Sequence, residues 1–194
     1  MSVSLEFPPL GFADAAAFHR WLAENHASSK GTWIKLAKVV VPDPCLRYAG
    51  AVEVALQWGW IDGQVRRLNE REYQQWFTPR RSGSLWSKIN TEKATALIAA
   101  GKMEPPGLLE VEKAKADGRW TAAYLGSRES AEPDDLIAAL AANPVAKEFF
   151  ATLDGANRYA VLFRLQTART AATRASRLEK LIGQLARRER FHGG

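Results

Sequence analysis

The stretch AVEVALQWGWIDG (Ala51–Gly63) decides the fold. Tyr48, Val52, Leu56 and Gly59 fall on one helical stripe. Gly59 is the expected stop, because glycine accepts the left-handed turn that closes a helix. Asp62-Gly63 reads as a turn dipeptide. Gln64 to Asn69 and Glu72 to Thr78 are then expected to be extended and antiparallel.

Upstream, Leu5-Glu6-Phe7 is a short strand candidate closed by Pro8-Pro9. Asp14 is expected to cap a helix with Phe18, Trp21 and Leu22 on one face, broken by Gly31. Thr32 to Val41 is rich in β-branched residues and reads as a strand, with Pro42-Asp43-Pro44 as a turn. Downstream, Asn90 is the expected cap of a helix carrying Ala94, Leu97 and Ile98. Pro105-Pro106-Gly107 ends it and opens another that stops at Asp117-Gly118. The result is an N-terminal α+β unit, residues 1–125, with a small, mostly antiparallel sheet.

GSRESAEP, residues 126–133, is polar and is expected to be a linker. Beyond it, residues 134–194 carry four helical patterns and no strand signal. Asn143-Pro144 starts the second, Asp154-Gly155 stops it, and Thr170 caps the fourth. Leu178, Leu181, Ile182 and Leu185 follow at i, i+3, i+4 and i+7. The fold class is α+β, a small sheet with helices followed by a small helical bundle.

The chain has 194 residues, a formal charge of +6 and seven Trp, none beyond Trp120. From Ala156 onward there are nine Arg or Lys against two Asp or Glu, leaving 18 basic and 19 acidic residues before it. The excess positive charge therefore lies in the last two helices and the tail. One cysteine, Cys45, excludes an intrachain disulfide and a cysteine metal cluster. Met1 to Leu10 has neither a basic n-region nor an apolar run, and no stretch approaches a membrane helix. A cytoplasmic protein is expected.

No phosphate-binding glycine loop and no nucleophile elbow are present. His19 and His26 are seven apart, but no carboxylate or Cys stands at ligand spacing, so neither metal nor cofactor is expected. Asp62 is the weak candidate for a general acid or base, with Glu53 as the nearest possible partner. Its competing role is that of a turn former.

TPRRSGSLWSKIN (Thr78–Asn90) holds the parts of an anion cradle. Arg80 and Arg81 supply planar forks, Ser82, Ser84 and Ser87 hydroxyls, and Gly83 backbone access. Lys88 adds charge, Asn90 a helix N-terminus, and Trp86 a stacking surface. The same residues also make an ordinary strand–loop–helix connection. Arg164, Arg169, Arg174 and Arg177 form a basic face, either for phosphates of nucleic acid or for solvation, with at least one of Arg174 and Arg177 free to pair with a carboxylate between helices.

Taken together and in order, AVEVALQWGWIDG, FTPRRSGSLWSKIN, GKMEPPGLLEVEKAKADGRW (Gly101–Trp120), DDLIAALAANPVAKEFFATL (Asp134–Leu153) and TAATRASRLEKLIGQLARRE (Thr170–Glu189) resemble the YdeI/OmpD-associated, bacteriocin-protection family. Gln57 stands where that family usually has Cys. The resemblance implies a cytoplasmic bacterial α+β protein ending in a helical module, linked by name to tolerance of bacteriocins and antimicrobial peptides. It brings no established reaction. The expectation is a non-catalytic binding protein with an anion-friendly site. Nucleic-acid binding through the basic helices, or an enzyme on a small anionic substrate, are the alternatives.

Overall fold

The computed structural model describes residues 8–38 and 45–192. The expected strand at Leu5–Phe7, the turn at Pro42–Pro44 and the end of the Thr32–Val41 strand lie outside the described residues. The chain divides into two compact units: Met1–Ser84 with Asn90–Thr121, and Leu85–Ile89 with Ala122–Gly194.

The first unit contains β1 (Leu10–Gly11), α1 (Ala15–Asn25), β2 (Thr32–Ala37), α2 (Tyr48–Gln57), β3 (Trp60–Arg67) and β4 (Glu72–Pro79). It also holds most of α3 (Lys88–Ala99) and all of α4 (Pro105–Ala116). Among the described residues the sheet order is β1-β2-β4-β3, with β1–β2 parallel and β2–β4 and β4–β3 antiparallel. Asp14 caps α1 as expected, its Oδ1 accepting from Ala17 N at 2.7 Å.

The core of this unit is aromatic. Phe18 of α1 meets Phe77 of β4 edge-on at 5.7 Å, and Trp21 meets Trp60 of β3 at 5.9 Å. Phe18, Leu22, Ile34, Leu36, Leu56, Trp60 and Phe77 are all buried. Removing a side chain of this size from water is worth about 1.5–3 kcal/mol, so α1 is held by its face rather than by helix propensity.

Three expectations need correction. Asp62-Gly63 is not a turn: both residues lie inside β3, where Asp62 pairs with Phe77. The register slips between Asp62 and Val65, and Gln75 Nε2 donates to Gly63 O at 2.7 Å. A bulge thus absorbs the glycine without ending the strand. The chain reverses instead around Asn69, whose Oδ1 accepts from Arg71 N and Glu72 N, each at 2.8 Å. Asn90 does not cap α3 but sits in its first turn, since the helix already begins at Lys88. Asp154 is the N-cap of α7, accepting from Asn157 N at 2.8 Å, and α6 has already closed at Thr152.

The second unit is built on α5 (Asp134–Ala141), α6 (Pro144–Ala151), α7 (Gly155–Gln166) and α8 (Ala171–Ala186). Leu136, Leu140, Phe150, Val161, Leu165, Leu181 and Leu185 form its buried cluster, with Leu178 and Ile182 packed at its edge. Asn143 and Thr170 cap α6 and α8, as their sequence positions require. Residues 126–133 bond onto α7. Gln166 Nε2 donates to Ser130 Oγ at 2.8 Å, Leu125 N donates to Gln166 Oε1 at 2.8 Å, and Arg158 pairs with Glu132.

Candidate functional site

In the first unit, α1 and α2 flank a groove of about 440 Å³. Ala15, Ala16 and His19 come from α1, and Gly50, Glu53, Val54 and Gln57 from α2. Lys102 and Glu104 close it from the connection between α3 and α4. The spacing follows from helix geometry: Gly50, Glu53, Val54 and Gln57 stand at i, i+3, i+4 and i+7, one face of α2. A second hollow of about 280 Å³ shares Glu53 and Lys102 and adds Lys93, Ala96, Leu97 and Ala100.

Close backbone packing sets the far wall. Glu104 N donates to Gln57 O at 3.1 Å. A Cβ on Gly107 would lie 2.1 Å from Gln57 O, so only glycine lets α4 approach α2 this closely. Gly59 has φ +71 and ends α2 as expected.

The groove is polar and charged. His19 Nε2 lies 3.2 Å from Glu104 Oε1, and its ring meets Trp58 edge-on at 5.3 Å. Glu104 is thereby engaged. Among the described residues, no hydrogen bond or ion pair engages the side chains of Glu53, Gln57 or Lys102. Gln57 is only 8% exposed. Its amide is not one of the buried polar atoms left without a partner, so it offers the groove a solvent-reached donor and acceptor.

The expected cradle is divided. Arg80, Arg81, Ser82, Ser84 and Asn90 belong to the first unit, Trp86 and Lys88 to the second. Arg80 and Trp86 are buried, whereas Arg81, Ser82 and Lys88 are exposed. Ser84 is used locally: its Oγ accepts from Arg81 N and its carbonyl from Arg119 Nη1, both at 2.9 Å. Arg119, 4% exposed, is fixed in turn by Asp117 at 2.7 Å. Sequence reading missed this clamp, which joins residues 35 apart in the chain.

Asp62 is half-buried in β3 and accepts from Tyr48 Oη at 2.8 Å. Burial, with a smaller contribution from Asp62, pushes the Tyr73 hydroxyl up from its ordinary value. Asp62 does not line the groove around Glu53.

Of the four arginines of the expected basic face, Arg164, Arg174 and Arg177 turn to internal acceptors, whereas Arg169 is exposed, as are Lys180, Arg187, Arg188 and Arg190 nearby. Arg174 lays its fork on Asp135 and donates from Nη1 to Leu165 O at 2.9 Å. Arg177 Nη1 donates to Arg164 O at 2.7 Å and Thr167 Oγ1 at 3.1 Å. Both cations thus serve the C-terminal carbonyls of α7, where orphan acceptors and the negative helix pole favour them. Arg164 bonds Ala160 O and covers the Phe191 ring, and Arg169 is exposed.

Fold and groove together define a two-unit α+β protein: a mixed-sheet unit carrying a polar groove, and an all-helical unit. Residues 10–110, just over half the chain, match the family model described as Domain of unknown function (DUF8412), and the chain belongs to that family. Residues 129–188 match the model described as Bacteriocin-protection, YdeI or OmpD-Associated, so the helical unit is a module of the family that the sequence resembles. No curated protein and no solved structure matches the chain. No helix among the described residues is long and apolar enough to cross a membrane, and no cluster of three or more His, Cys, Asp or Glu is placed to hold a metal ion.

Proposed function

We propose that this is a non-catalytic binding protein of the cytoplasm whose ligand seat is the groove between α1 and α2, and that it contributes to tolerance of bacteriocins or antimicrobial peptides. One observation carries the reading. A groove of about 440 Å³, within the usual range for small-molecule sites, is lined by Glu53, Gln57 and Lys102, whose side chains have no hydrogen-bond or ion-pair partner among the described residues. The tolerance role is supported by the family description of the helical module. A thermal-shift screen of polar small molecules tests the seat, run on the protein and on Ala16→Trp. Ala16 is an exposed groove residue, so the indole fills the groove without disturbing the core. Stabilisation that disappears in A16W is expected. Stabilisation that survives A16W overturns the groove as the seat.

A further inference from the structure

We infer that the groove takes a small zwitterion, an amino acid or short peptide, with its ammonium at Glu53 and its carboxylate at Lys102. This rests on the groove being the ligand seat. Glu53 projects from α2 and Lys102 from the α3–α4 connection, and both line the two adjoining hollows. Among the described residues neither forms an ion pair, although they border the same space. The other carboxylate, Glu104, is already engaged by His19 at 3.2 Å. In the groove itself Glu53 and Lys102 therefore remain as one anionic and one cationic group for a ligand, with Lys93 a further cation in the adjoining hollow.

A ligand with only one charge satisfies one of them and leaves the other facing it without compensation. A ligand carrying both satisfies both, and charge-assisted bonds are the stronger kind. Gln57 adds an amide that donates and accepts, suited to a carboxylate or a peptide group. Ala15, Ala16, Gly50 and Val54 leave room for a small apolar side chain rather than a ring.

The test is calorimetric titration with alanine, alanylalanine and trialanine, against alaninamide and N-acetylalanine, which keep one charge each. A zwitterionic probe is expected to bind, and both single-charge analogues to bind about tenfold more weakly or worse. Glu53→Gln is expected to erase the preference over N-acetylalanine, and Lys102→Met the preference over alaninamide. Equal affinity for an analogue, or no heat from any zwitterionic probe, overturns the inference. If a single-charge or neutral molecule binds and A16W abolishes it, the zwitterion fails while the groove stands. If A16W abolishes nothing, both fail.

Discussion

Arg174 and Asp135 are joined by a two-pronged ion pair, Nε to Oδ2 at 2.6 Å and Nη2 to Oδ1 at 2.8 Å, which ties α8 to α5. The same guanidinium reaches Leu165 O, so one side chain holds three helices. Arg174→Ala is expected to destabilise the protein by about 1–2 kcal/mol. The lower part of the hydrogen-bond range applies because the two side chains are 32% and 37% exposed. A shift of the urea midpoint checks it. The Arg174 hydrogen bond holds the Asp135 carboxyl below its ordinary value, against opposing burial. A depressed carboxyl stabilises the fold above the unfolded value of about 3.9, and that stability is lost as pH falls through the folded value. Asp135→Asn is therefore expected to be less stable than the unchanged protein at neutral pH, with the gap closing on acidification below about pH 4.

Asn157, 3% exposed, anchors the C-terminal tail: its Oδ1 accepts from Phe191 N at 2.8 Å and His192 N at 2.9 Å. Asn157→Ala leaves both amides without that acceptor. A loss of about 1–3 kcal/mol is expected. Hydrogen exchange should accelerate at Phe191 and His192 before it does in α8.

Gly107→Ala separates two opposing effects. Alanine in place of glycine in a helix interior favours the helix by about 1 kcal/mol. Here its Cβ would sit 2.1 Å from Gln57 O and 2.8 Å from Leu56 O, both backbone atoms. Overpacking of this kind costs about 1–3 kcal/mol, so a net loss of stability is expected. Because Glu104 N bonds Gln57 O, the groove should deform with it. Unchanged thermal stability in G107A would contradict the close α2–α4 packing.

The basic helices give a further test. Arg164, Arg174 and Arg177 spend their guanidinium groups on internal acceptors. Fluorescence anisotropy with labelled oligonucleotides is expected to show only weak binding, with a shallow dependence on salt. Tight binding with a steep log–log slope would restore the nucleic-acid reading.

Local signals were legible in the sequence and long-range ones were not. Asp14, Asn143 and Thr170 cap where their neighbours place them, because a cap is a contact over three residues. The leucine spacing of α8 announced its buried edge. Asp62-Gly63 misled because a cross-strand bond from Gln75 and a bulge outweigh turn propensity. Asn69, two residues before Arg71, was the better turn signal, since its side chain bonds the backbone ahead of it. The groove was invisible for another reason. Glu53 reads only as the nearest possible partner of Asp62, and His19 only as a histidine without further metal ligands, while Lys102 and Glu104 carry no signal. Only the packing of α1, α2 and the α3–α4 connection brings them to one space.

An amide chemical-shift map of isotope-labelled protein titrated with alanylalanine tests the groove most directly. Shifts centred on Ala16, His19, Glu53, Gln57 and Lys102, and absent in A16W, are the predicted result. Shifts centred in the helical unit, or at Arg80 and Arg81, or unchanged in A16W, would contradict it.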